Sequence, residues 1–107
     1  RHLEQEQMHV MFLDTKCKLI KDKLITSGTI NQSLISPREI FVEALRCNCV
    51  NIVLIHNHPS GEPTPSREDR LITRRIQDAG ALIGIELLDH IIIGNNCYVS
   101  FREEGML

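Results

Sequence analysis

The chain has 107 residues, 42% hydrophobic and 24% charged, with a formal net charge of −2 and a pI near 6.2. That balance predicts one soluble globular domain over residues 1–107, with no overall charge drawing it toward nucleic acid. No apolar stretch reaches membrane-spanning length and no signal peptide is visible, so no membrane partner and a cytoplasmic location are expected.

Arg1 to Gln5 is polar and starts without an initiator Met, which predicts a fragment or processed chain with a fraying start. Met8 to Leu13 is nearly continuous apolar sequence and predicts a central strand, closed by a turn at Asp14-Thr15. Lys18 to Ile25 and Thr26 to Ile30 alternate loosely, as partly exposed strands of a meander would, and Ser33-Leu34-Ile35 is a short extended link. Ser36-Pro37-x-Glu39 then starts a helix, with Ser as cap, Pro at the first helical position and Glu at the third. Its apolar stripe is Ile40, Phe41, Ala44 and Leu45, and it should end near Cys47 to Cys49. The spacings of Cys17, Cys47, Cys49 and Cys97 fit neither a secreted disulfide framework nor the usual zinc pairs, so free thiols are expected.

Asn51 to Ile55 predicts a buried strand that runs directly into His56-Asn57-His58-Pro59-Ser60-Gly61-Glu62-Pro63-Thr64-Pro65-Ser66-Arg67-Glu68-Asp69. Side chains alternate along an extended segment, so His56 and His58 project from the same side and can bind one ion. Ser66 reads as the cap of a second helix and Asp69 as an acid in its first turn, from where it can swing back to the histidines. Two imidazoles and a carboxylate suit Zn²⁺, and three protein ligands leave a position open for water, which is the arrangement of a catalytic site. The helix should cover Arg67 to Ala79, with Leu71, Ile72, Ile76 and Ala79 inward and Gly80 ending it. Ile85 to Ile93 predicts another strand, Gly94-Asn95-Asn96 a tight turn and Cys97 to Phe101 the returning strand. His90 on that apolar strand is expected to be a core residue or a support to the ligands, not a fourth ligand. Strands and helices intermingle, so the fold class is α/β (α+β), a mixed β-sheet flanked by helices.

His56-x-His58, seven residues and Ser66-x-x-Asp69 match the JAMM signature of the JAB/MPN metallopeptidase superfamily. Gly28-Thr29-Ile30, Ser36-Pro37-Arg38-Glu39, His56 to Gly61 and Leu88-Asp89-His90-Ile91-Ile92-Ile93-Gly94 resemble the bacterial RadC family, over nearly the whole chain. The resemblance implies the JAB/MPN fold, similar to cytidine deaminases, and a zinc-dependent peptidase or isopeptidase with His56, His58 and Asp69 as metal ligands. It also implies an upstream Glu as general base, which Glu6 matches best, with Glu4 as the alternative and Glu39 and Glu43 weaker. Ser66 would help stabilise the oxyanion as well as cap the helix. Full-length members usually carry an additional N-terminal helical region that this sequence does not include. The substrate, a peptide or protein, is left open, as is the oligomeric state.

Two other functions compete. The family name implies a DNA-repair or recombination factor acting through binding, and Arg67, Arg70, Arg74 and Arg75 could meet phosphate. Aromatic residues amount to only 4%, without Trp, and Glu68 and Asp78 balance the arginines, so a solvated face is expected. A non-catalytic scaffold fits poorly with a complete ligand set, and the His-x-Glu and Pro-Cys-x-x-Cys pattern of zinc deaminases does not occur.

Overall fold

The computed structural model describes residues 5–28 and 35–107. Glu4, His2 and the expected extended stretches at Thr29-Ile30 and Ser33-Leu34 lie outside the described residues. Among the described residues, five strands and two helices follow in the order β1 (Gln7–Leu13), β2 (Leu19–Ser27), α1 (Pro37–Arg46), β3 (Asn51–Asn57), α2 (Arg67–Ile83), β4 (Glu86–Ile93) and β5 (Tyr98–Ser100). They build one mixed sheet in the order β2-β1-β3-β4-β5, an α+β architecture consistent with a JAB/MPN domain. The β3 and β4 strands are parallel and the other neighbours antiparallel. A parallel pair needs a long crossover, and α2 supplies it.

Alternation along the strands puts one set of side chains into the core. Met8, Val10 and Phe12 of β1, Ile52 and Leu54 of β3 and Leu87 of β4 are buried against Ile40, Phe41 and Ala44 of α1 and Ile72 and Ile76 of α2. Both helices therefore cover the same face. Leu45, expected inward, is 58% exposed. It sits beyond the narrow stripe set by Ile40, Phe41 and Ala44, at the rim where the helix turns to solvent.

Three elements differ from the sequence expectation by more than one residue at an end. Lys18 to Ile30 was expected as two strands, whereas a single β2 runs from Leu19 to Ser27 with register shifts. Met8 pairs with Thr26 and His9 with Leu24, so Ile25 is the extra residue of a bulge and turns to pack against the core. The β3 strand runs on to Asn57 and so carries the first histidine inside the sheet. Gly80 does not end α2, which continues to Ile83 and stops at Gly84, in the left-handed conformation (φ 89°). The amides of Gly84 and Ile85 both donate to the Gly80 carbonyl, at 2.8 and 2.9 Å. A glycine stands at position 80 because a Cβ there would lie 2.2 Å from the Ile85 carbonyl oxygen and 3.3 Å from Phe41.

Candidate metal centre

The site forms where β3 ends. His56 pairs with Met8 on one side and Ile92 on the other, so its ring is held in the core at 1% exposure. His58 lies just past the strand, yet its amide still donates to the Ile93 carbonyl at 2.9 Å, which carries the sheet geometry one step further. The two rings meet edge to face with centroids 4.8 Å apart. Beyond them the loop is docked on the β4–β5 turn: Asn95 N donates to Gly61 O at 2.9 Å, and Gly61 adopts φ 90°. A Cβ on Gly94 would stand 2.4 Å from that same carbonyl oxygen, so only glycine lets the loop approach.

Asp69 and Ser66 form a reciprocal capping box at the start of α2. Ser66 Oγ accepts from Asp69 N at 3.0 Å, and Asp69 Oδ2 accepts from Ser66 N at 2.8 Å. The box does not use up the carboxylate. Its Oδ2 is also 3.0 Å from His58 Nε2, and its Oδ1 is 3.3 Å from His56 Nε2. Capping and facing the histidines are thus one geometry.

Glu6 enters from the chain just before β1. Its Oε2 is 3.5 Å from His56 Nε2 and 3.9 Å from His58 Nε2. Asn57, buried between the histidines in sequence, points away from them and holds this segment: Gln7 N donates to Asn57 Oδ1 at 2.7 Å and Asn57 Nδ2 donates to Gln5 O at 3.1 Å. Gly28 N donates to Glu6 O at 2.8 Å. Nothing in the local sequence pattern singles out Asn57, because its partners lie 50 and 52 positions away. His90 is fully buried, and its Nε2 lies 2.9 Å from His56 Nδ1. It is buried behind His56 and does not face the carboxylates' side of the site. Glu39 and Glu43 lie on α1 instead: Glu39 N donates to Ser36 Oγ, and Glu43 pairs with Lys21 and Lys23.

The donor set fits a metal ion. The ligand atoms of Glu6, His56 and His58 all lie within 4.8 Å of one another and could hold one. Ligands about 2.0–2.1 Å from a tetrahedral ion stand about 3.3 Å apart. The 3.0 and 3.3 Å contacts of Asp69 to both Nε2 atoms match that spacing. His58 Nδ1 donates to the Glu62 carbonyl at 2.8 Å, which in the neutral ring leaves a lone pair on Nε2. His56 Nε2 is the one buried side-chain nitrogen or oxygen among the described residues without a hydrogen-bond partner. Burial lowers the His56 pKa to about 4, with the Asp69 charge opposing and the His58 charge adding to the shift. At neutral pH His56 is therefore held in its neutral form. Burial, with the charges of His56 and His58, likewise holds His90 well below the usual histidine range.

A model of the RadC-like JAB domain matches residues 1–106. The chain belongs to the RadC-like JAB domain family. Its relatives include the UPF0758 protein STH371 of Symbiobacterium thermophilum, 52% identical over 99% of this chain and 45% of that protein. A UPF0758 protein of Thermotoga maritima is 50% identical over 99% of the chain and 48% of its own length. One from Clostridium tetani is 51% identical over 100% and 47%. The RadC-like chain described here thus spans about half the length of these relatives, and their names assign no activity.

Proposed function

We propose that this RadC-like JAB domain is a zinc-dependent amide hydrolase, a peptidase or isopeptidase, with His56, His58 and Asp69 as ligands and Glu6 as general base. The observation that carries it is the unpartnered, buried His56 Nε2, turned with His58 Nε2 toward two carboxylates. Asp69 takes the ligand role because its side chain is 3% exposed, locked by the capping box and close to both nitrogens. Glu6 stands further off and its side chain is 25% exposed, within reach of water.

Zinc bound there would lower the pKa of a water to about 7 and polarise an amide carbonyl. Glu6 accepts the proton of the attacking water and returns it to the departing amine. The Ser66 hydroxyl accepts from the Asp69 amide and so keeps its own hydrogen to donate to the developing oxyanion. Ser66 is exposed at the N-terminus of α2, where the helix dipole also favours negative charge. The substrate class is a peptide or a protein conjugate. Cys17, Cys47, Cys49 and Cys97 are free thiols, which supports the reducing cytoplasm. No helix among the described residues is long and apolar enough to cross a membrane.

The test is a peptide-library screen of zinc-loaded protein with Glu6→Gln beside it. The reading expects Glu6→Gln to retain zinc and lose cleavage by at least about 100-fold. Zinc-loaded protein that cleaves no peptide or isopeptide bond contradicts it, as does a Glu6→Gln variant that turns over normally.

A further inference from the structure

A line of buried hydrogen bonds runs from His56 back to the helix turn that bears Asp69. Its members are His56 Nδ1···His90 Nε2 at 2.9 Å, His90 Nδ1···Thr73 Oγ1 at 2.6 Å and Thr73 Oγ1 to Asp69 O at 2.8 Å. His56, Thr73 and His90 are at most 2% exposed, so their polar atoms depend on protein partners.

Its two ends together set the direction. The Thr73 hydroxyl donates its single hydrogen to the Asp69 carbonyl; the reverse arrangement, with that hydrogen given to His90, would place a hydrogen on His56 Nε2, the buried atom without a hydrogen-bond partner. Thr73 Oγ1 then has only a lone pair to offer His90, and His90 Nδ1 must be the protonated nitrogen. A neutral His90 consequently presents a bare Nε2 to His56, which donates its Nδ1–H. His56 is left with its lone pair on Nε2, the atom that faces Asp69 and Glu6. The His90 ring is kept from turning by stacking on Phe101, with centroids 4.6 Å apart and planes 14° apart. Its backbone amide is held by Asp89 Oδ1 at 2.7 Å.

We infer that Thr73 and His90 are positioning residues that fix His56 as its Nδ1–H tautomer, keeping Nε2 bare for a metal before any metal arrives. The inference rests on the reading of His56 as a ligand. It explains why a second histidine is buried in the core without facing the site, and why a threonine sits one helical turn after Asp69. The line also joins the two ligands, since the residue that orients His90 is anchored on the backbone of Asp69.

The test measures ring-nitrogen chemical shifts of ¹⁵N-histidine protein, free of metal, at neutral pH, alongside Zn²⁺ affinity. Wild-type protein should show His56 protonated at Nδ1 and bare at Nε2, with the same pattern for His90. Thr73→Val should let the Nε2–H form of His56 appear and weaken Zn²⁺ binding about 10–100-fold. Thr73→Ser, which restores the hydroxyl, should recover both. A His56 ring protonated at Nε2 in wild type overturns the inference without any variant having to fold. So does a folded Thr73→Val protein with unchanged tautomers and affinity. Wild-type protein with the expected tautomers that fails to bind Zn²⁺ supports the hydrogen-bond line and overturns the metal reading instead.

Discussion

Asn57 and Asp69 each do two things with one small side chain. Asp69 closes the capping box and faces both histidines, while Asn57 grips the backbone on either side of Glu6. Replacing Asn57 by Ala removes both of its bonds and leaves the Gln7 amide without its acceptor. The expected cost is about 1–3 kcal/mol of stability. The Gln7 amide should lose its protection from hydrogen exchange and Glu6 its fixed position, while zinc affinity stays near that of wild type. Retained protection at Gln7 would contradict this role. At this scale the sequence disclosed only what is local. Ser66-x-x-Asp69 is readable because helix geometry brings positions three apart together. Thr73 and His90 were not joined by any pattern, since 17 and 34 positions separate the partners in the line to His56.

Among the elements, helix starts were easier to foresee than helix ends. Ser36-Pro37 and Ser66 carry their caps in the sequence, whereas the choice between Gly80 and Gly84 as the end of α2 is made by tertiary packing. Gly80 is needed because the Ile85 carbonyl lies against it, and the chain turns only at Gly84. Gly→Ala inside an exposed helix stabilises by about 1 kcal/mol. Here the opposite is predicted: Gly80→Ala should destabilise by about 1–3 kcal/mol in urea denaturation, because the added methyl overpacks a backbone contact. A stabilised variant would contradict the packing account. The β2 bulge escaped notice for a similar reason, as Ile25 turns inward only once β1 is beside it.

Across the whole molecule, the groups of the candidate site come from three places that are distant in sequence: the entry to β1, the end of β3 and the first turn of α2. They meet at the carboxyl end of β3 beside its parallel neighbour β4, where open sheets offer ligand sites. The mixed sheet itself was legible from the alternation of apolar runs with helix signals. That both helices would cover the same face was not, because an amphipathic stripe does not say which side of the sheet it packs on until the strand order is known. In the proposed reading an ion ties β3 to α2. Its most direct test is elemental analysis of untagged protein after loading with Zn²⁺ and removal of excess, with His58→Ala and Asp69→Ala treated identically. The account predicts close to one zinc per wild-type chain and almost none in either variant. Wild-type protein that takes up no zinc, or an Asp69→Ala protein that holds it as well as wild type, would contradict the site.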